Sequence, residues 1–308
     1  MKRAIITGAT GAIGTALVQE LVNNNIKVLV ICRKGSERNK NILKHPLVQV
    51  LECSLEDLKQ IKNDDKEIYD VFYHFAWKGT AGNARNDMRM QNENVKYTLD
   101  AIEVAKKFGC RVFIGAGSQA EYGRVEGRLQ PETPTFPENG YGIAKLCAGL
   151  MSKEYAQQMG LKHIWVRVLS VYGPCDGEQS MIMSTIRKLE ANMIPQFTKG
   201  EQMWDYLYSE DAARAFRMLG EKGIDGKVYV LGSGKVKRLY EYIETLRDIV
   251  KKDAKIELGA VPYAEKQVMY LCADIGELTK DTGFVPKYTF EEGITKTKRW
   301  CECNCRPD

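Results

Sequence analysis

The sequence predicts an α/β fold, a doubly wound parallel sheet that carries a smaller α+β portion toward its C-terminal end. Three observations predict it. Near-continuous apolar runs alternate with helical patterns from residue 4 onward; a glycine-rich segment lies directly between the first strand and the first helix; and the alternation loosens after Gly173-Pro174. Apolar strands separated by helices imply a sheet covered on both faces, which parallel strands obtain from their crossover helices.

Residues 4–6 read as a buried strand, and residues 12–23 as a helix with Ile13, Leu17, Leu21 and Val22 on one face. Further strands follow at 27–31, 48–51, 71–75, 111–114 and 164–168, with helices over 92–108 and 141–159. Beyond them, 175–203 carry a helix and a polar loop, 206–208 a short strand and 211–219 a helix. The chain therefore divides into a domain of residues 1–173, with 204–227 packing back onto it, and a smaller portion made of 174–203 and 228–308. The absence of a linker predicts that the two pack closely and share a cleft.

Composition narrows the class. The 308 residues are 44% hydrophobic and 28% charged, as in soluble globular proteins. A net charge of +5, spread without a basic block, argues against nucleic acid as a partner. No apolar stretch reaches membrane-span length and no leader pattern is visible, so a cytoplasmic protein is expected. Nine cysteines at irregular positions read as reduced thiols. Cys301, Cys303 and Cys305 lack a fourth ligand at finger spacing, and a frayed tail is expected there rather than a metal site.

Gly8-Ala9-Thr10-Gly11-Ala12-Ile13-Gly14 has the G-x-x-G-x-x-G spacing. Glycines at a strand-to-helix turn let the backbone approach a pyrophosphate, and the helix N-terminus offers N–H groups and the positive end of its dipole. Gly8, Thr10, Gly11, Ala12, Ile13 and Gly14 are thus the expected dinucleotide contacts of a Rossmann-type fold. Tyr141 and Lys145 stand four residues apart on one helix face. A nearby ammonium is expected to lower the phenol's pKa and make Tyr141 an acid–base group. Ser118, just past the fifth strand, lies where parallel strands open onto a ligand crevice, and its hydroxyl can donate to an oxygen that becomes negative during reaction.

With these residues the chain resembles the extended short-chain dehydrogenase/reductase family, in its branch of NAD-dependent epimerases and dehydratases that modify nucleotide sugars. The likeness runs almost end to end. His74-Phe75-Ala76-Trp77 resembles H-x-A-A, Asn94-Val95-Lys96-Tyr97-Thr98 resembles N-V-x-G-T, and Arg167 through Tyr172-Gly173-Pro174 matches R-x-x-x-x-Y-G-P. Trp204-Asp205-Tyr206-Leu207-Tyr208-Ser209-Glu210-Asp211 resembles R-D-Y-L-Y-V-x-D. The resemblance implies that Ser118 and Tyr141 bind the reacting sugar oxygen and that Lys145 holds the nicotinamide ribose. It places Phe75, Ala76, Trp77 and Asn94 at the cofactor, and a nucleotide-diphosphate sugar in the smaller portion. Trp204 replaces the usual arginine, so Arg187 or Lys199 becomes the candidate phosphate contact, with ordinary surface charge as the alternative. Lys78, in the polar 78–85 loop, and Gln119 are further candidates at the sugar. A homodimer through the two long helices is implied by analogy.

Three departures from the family pattern narrow the reaction. Gln119 and Ala120 stand where dehydratases carry an acidic pair, so dehydration is disfavoured. Cys32 stands at the end of the second strand, where a carboxylate would bind the ribose diol of NAD, and Arg33 and Lys34 follow, with Ser36 and Arg38 close behind. That favours NADP(H), with NAD(H) the alternative. Cys53-Ser54 replaces the usual Gly-Asp, leaving Ser54, with Leu55 beside it, as the weaker adenine contact. The expected activity is NADP(H)-dependent reduction of a nucleotide-linked 4-keto-6-deoxyhexose at C4. A nucleotide-sugar 4-epimerase using retained NAD is the alternative enzyme, and a dinucleotide-sensing regulator without catalysis the alternative from another class.

Overall fold

The computed structural model describes residues 1–64 and 66–304. Eleven strands and eight helices follow one another along the described residues. The strands are β1 (Arg3–Thr7), β2 (Lys27–Cys32), β3 (Val48–Glu52), β4 (Val71–His74), β5 (Val112–Ser118), β6 (Lys162–Val168), β7 (Ser170–Tyr172), β8 (Met203–Trp204), β9 (Tyr206–Tyr208), β10 (Val228–Leu231) and β11 (Lys237–Arg238). The helices are α1 (Ala12–Asn23), α2 (Met88–Lys107), α3 (Gly140–Gln158), α4 (Met181–Glu190), α5 (Ser209–Lys222), α6 (Leu239–Lys251), α7 (Gly276–Thr282) and α8 (Phe290–Asn304).

Seven strands form one sheet in the order β10-β6-β5-β4-β1-β2-β3, every pair parallel. Side chains alternate between its faces, as the two-residue period of a strand requires. Ala4, Ile6, Val28 and Val30 point to one face, where Leu17 and Leu21 of α1 and Ala212, Phe216 and Leu219 of α5 cover them. Ile5, Leu29, Phe72 and Phe113 point to the other, under Ile102 and Ala105 of α2 and Ala156 of α3. The order reverses between β1 and β4, so their carboxyl ends open onto a crevice.

Beside this sheet, α4, α6 and α8 close around Tyr172, Tyr208, Tyr242, Phe290 and Ile294. Two buried aspartates tie that portion to the sheet. Asp205 accepts the main-chain N–H groups of Ser233, Gly234 and Ala273 at 2.7, 3.0 and 3.0 Å. Asp211 accepts those of Lys287 and Tyr288, both at 2.9 Å, and pairs with Arg214.

Three sequence expectations are corrected. The fifth strand does not stop at residue 114 but runs on to Ser118, because β6 pairs with it through Ser118↔Val168. Val228–Leu231 belongs to the large sheet rather than to the smaller portion, since it finds an open edge at β6. The cysteine tail is not frayed as far as it is described: α8 includes Cys301 and Cys303, and Cys301 is buried against the aromatic cluster, while Cys305 lies outside the described residues. Among the described residues no group of three or more His, Cys, Asp or Glu side chains could hold a metal, and no helix is long and apolar enough to cross a membrane.

Candidate active site

The turn from β1 into α1 forms one end of a cleft of about 360 Å³ at the carboxyl edge of the sheet. Gly8 has φ +76°, and a Cβ there would lie 2.6 Å from the Ala76 nitrogen, so only glycine fits against the end of β4. A Cβ on Gly14 would sit 2.2 Å from the Gly8 carbonyl oxygen, so α1 can approach the turn only with glycine there. Gly11 is the N-cap of α1 and no side chain caps the helix. The first-turn amides of Ala12, Ile13 and Gly14 therefore keep their donors for an anion.

Thr7 to Gly11 line the cleft together with Cys32, Arg33, Ser36, Arg38, Cys53, Leu55, Glu56, Phe75, Ala76, Trp77 and Lys78. Arg33 and Arg38 are exposed along this lining. Arg38 reaches across the turn, donating through Nη2 to the Thr10 and Cys175 carbonyls at 3.2 and 2.8 Å. Among the described residues of the lining the one carboxylate is Glu56, which is paired with Lys78. Lys34 is exposed outside the lining, and the Ser54 hydroxyl is turned away to Asp57 at 2.8 Å. Asn94 is buried and holds the Lys78 main chain, accepting its N–H at 2.8 Å and donating to its carbonyl at 2.9 Å.

Ser118, Tyr141 and Lys145 come together beside Trp77, which lines the cleft, although none of the three lines it itself. Asn139 caps α3 by accepting from Gly142 N at 2.9 Å, which fixes the helix start beside Tyr141. Ser118 ends β5; its Oγ accepts from Ala120 N at 3.2 Å and it hydrogen-bonds the Tyr141 side chain. Lys145 is buried, donates to the Ala116 carbonyl at 2.7 Å, and places its ammonium 3.7 Å from the centroid of the Trp77 ring. Trp77 is itself anchored through Nε1 to Gln91 at 2.8 Å and meets Tyr141 edge-on.

The electrostatics differ from the sequence expectation in one respect. Burial pushes the Tyr141 phenol up, against the opposing pull of the Ser118 hydrogen bond and the Arg85 guanidinium. Arg85 lies 4.2 Å from the Tyr141 ring centroid, whereas the Lys145 ammonium is 5.8 Å away. The cation over the phenol is therefore Arg85, supplied by the 78–85 loop. Burial also pushes Lys145 down to about 7, with Glu121 opposing. His74, held through Nδ1 by Thr7 Oγ1 at 2.9 Å, is pushed down to about 3 and stays neutral, with a buried Nε2 that has no partner.

The remaining candidates lie apart. Gln119 is half-buried in the turn after Ser118. Arg187, on α4, pairs with Glu178 at 2.9 Å, and Lys199 is exposed with its side chain 3.7 Å from the Cβ position of Gly259. Neither lines the dinucleotide cleft. Trp204, where the family pattern has arginine, donates through Nε1 to Ser170 at 2.8 Å. Sequence reasoning placed Arg85 only within the polar 78–85 loop near the sugar, not over Tyr141, and gave Glu121 no role.

The model of the NAD dependent epimerase/dehydratase family matches residues 4–232. A dTDP-glucose 4,6-dehydratase of Salmonella typhimurium is 26% identical, over 98% of this chain and 93% of its own. A solved UDP-glucose 4-epimerase of Thermotoga maritima, with UDP-glucose, is 25% identical with a TM-score of 0.85, covering 99% of this chain and all of its own (100%). A UDP-glucuronic acid 4-epimerase of Bacillus cereus, solved with NAD, shares the fold at a TM-score of 0.84 and 21% identity, over 98% and 99% of the two chains.

Proposed function

The chain belongs to the NAD dependent epimerase/dehydratase family, and from that premise we propose that it reduces a nucleotide-linked 4-keto-6-deoxyhexose at C4 with NADP(H). The observation that carries the choice is the lining of the cleft. Arg33, Ser36 and Arg38 line the cleft beyond the glycine turn, on this reading at the adenosine ribose, and Glu56, the carboxylate among the described lining residues, is paired with Lys78. Guanidinium and hydroxyl groups suit a 2′-phosphate, whereas a free carboxylate would repel it. The NAD bound to the Bacillus cereus neighbour favours NAD(H) for that protein, so cofactor choice is the first point to test.

The glycine turn and the first amides of α1 would hold a nicotinamide dinucleotide, which would supply a hydride. The chain's own residues do the rest. The Ser118 hydroxyl donates to the carbonyl oxygen and stabilises the charge that develops there. Tyr141, kept protonated by its burial, delivers the proton to that oxygen. Lys145, braced by Ala116 and Trp77, would hold the nicotinamide ribose. Gln119 and Ala120 supply no acid and base for a dehydration, which separates this chain from the dehydratases among its relatives.

A second reading, a nucleotide-sugar 4-epimerase with retained NAD, is favoured by the likeness to the Thermotoga maritima enzyme. Mixing the protein with NADPH and CDP-, dTDP- or GDP-linked 4-keto-6-deoxyhexoses separates the two. The reductase consumes the nicotinamide absorbance, and Tyr141→Phe slows that consumption about a thousandfold. Tightly held NAD and interconversion of 4-epimers without net oxidation overturn the reductase in favour of the epimerase.

The division into a cofactor domain and a nucleotide-sugar portion is part of the same proposal. So is a homodimer: Ile143, Leu150 and Met151 of α3 are exposed, an apolar face that a second copy would cover. Light scattering that returns a monomer mass would remove it.

A further inference from the structure

A buried ionised cluster lies directly beneath Ser118. Glu121 is fully enclosed; its Oε1 accepts the Ser118 N–H at 2.8 Å and the Trp165 indole N–H at 3.0 Å, and its Oε2 accepts Arg167 Nε at 2.7 Å. Arg167 also donates to the Pro131 carbonyl at 3.0 Å, with its guanidinium 4.5 Å from the Tyr122 ring centroid. The strand above is cut away to admit this cluster. A Cβ on Gly117 would lie 2.4 Å from both Glu121 Oε1 and Trp165 Nε1, and one on Gly115 would lie 2.2 Å from the Trp165 ring. Buried ion pairs seldom stabilise a fold better than apolar packing does. Stability is therefore a weak reason for building one here.

We propose that Glu121 is a positioning residue for the reaction: its carboxylate clamps the main chain of Ser118, aims the Ser118 hydroxyl, and faces Lys145 with a fixed negative charge. This rests on the function proposed above. Lys145 grips Ala116 and Glu121 grips Ser118, so the last residues of β5 are held at both ends. Ser118 Oγ is engaged at Ala120 N and at the Tyr141 side chain, so fixing its main chain fixes the direction of the hydroxyl.

The charged and titratable groups around Lys145 come from five elements. Glu121 acts on its charge from the turn after β5, and His74 feels that charge from β4. Tyr141 lies on its own helix with the ring centroid 5.8 Å from the ammonium, and Arg85 stands over Tyr141 while Arg167 from β6 balances Glu121. Glu121 opposes the loss of charge that burial imposes on Lys145, and it raises the Tyr141 phenol as well. Both influences keep protons on the groups that need them for reduction.

The test uses the full chain with ¹³C-labelled lysine and follows the ¹³Cε titration by NMR, with Lys145 identified by Lys145→Met. A lysine that titrates near neutrality stands apart from the rest. In Glu121→Gln its midpoint falls by about half a unit or more, and kcat falls about tenfold while KM moves less than about threefold. In Glu121→Asp, where charge is kept and reach is shortened, the midpoint stays and kcat still falls. An unmoved midpoint in Glu121→Gln, or full kcat in Glu121→Asp, overturns the proposal. The titration needs neither substrate nor cofactor, so its failure is distinct from a wrong assignment of the reaction.

Discussion

The two ends of this molecule hold their shape by opposite means. The turn at residues 8–14 is held by what is missing: glycines whose absent side chains let β1, α1 and the end of β4 meet. The C-terminal portion is held by what is present, two buried aspartates that collect main-chain N–H groups from segments far along the chain. A void in the first place and a charge in the second do the same mechanical job. The difference predicts how each end fails.

The largest effect is expected at Asp205. Asp205→Ala leaves the Ser233, Gly234 and Ala273 N–H groups without their acceptor, at a cost of about 4 kcal/mol. Urea denaturation read by tryptophan fluorescence checks this, and a loss under 1 kcal/mol would mean that the aromatic cluster, not the aspartate, fixes that portion. Gly8→Ala comes next, at about 3 kcal/mol, because the new methyl meets the Ala76 backbone and the residue must keep a left-handed φ.

Gly11→Ala separates shape from binding. The nearest atom to its Cβ position is Arg38 Nη2 at 3.9 Å, so stability should hold within about 1 kcal/mol. Cofactor affinity should nevertheless fall about tenfold, since the methyl intrudes where the pyrophosphate approaches the helix. Calorimetric titration with NADPH measures it, and unchanged affinity would put the dinucleotide elsewhere.

The last effect is a slope. Lys145 titrates near 10.5 when unfolded and about 7 when folded. Between those values the unfolded chain binds the extra proton, so this residue's contribution to stability rises with pH through that window. Comparing wild type with Lys145→Met at pH 7 and 9 isolates it; equal pH dependence in the two would show that Lys145 keeps its charge on folding.

The same contrast explains what the sequence made readable. Ser118, Tyr141, Lys145 and the glycine turn sit in short contiguous patterns, so their chemistry is visible before any folding. Arg85 and Glu121 are not, because their roles come from contacts across elements. Arg85 reaches Tyr141 only once the 78–85 loop is pinned by Asn94 and Gln91. Glu121 acquires its partners from β6, whose register sets Arg167 beside Gly117. A signal was there in outline, since a glycine on either side of Ala116 in a buried strand asks what large neighbour fills the space. The main-chain partners of Asp205 and Asp211, 28 to 77 residues away, left no local trace at all.

Arg38 carries a consequence for anyone re-engineering this cleft. Its guanidinium bonds the Thr10 carbonyl in the turn and the Cys175 carbonyl in the segment after β7. The residue is thus a splice between the two halves of the chain as well as a charge in the cleft lining. Swapping it to change dinucleotide preference would cut that splice, and a loss of sugar binding would then be mistaken for a failed cofactor exchange. Arg33, which has no such second duty among the described hydrogen bonds, is the cleaner place to begin.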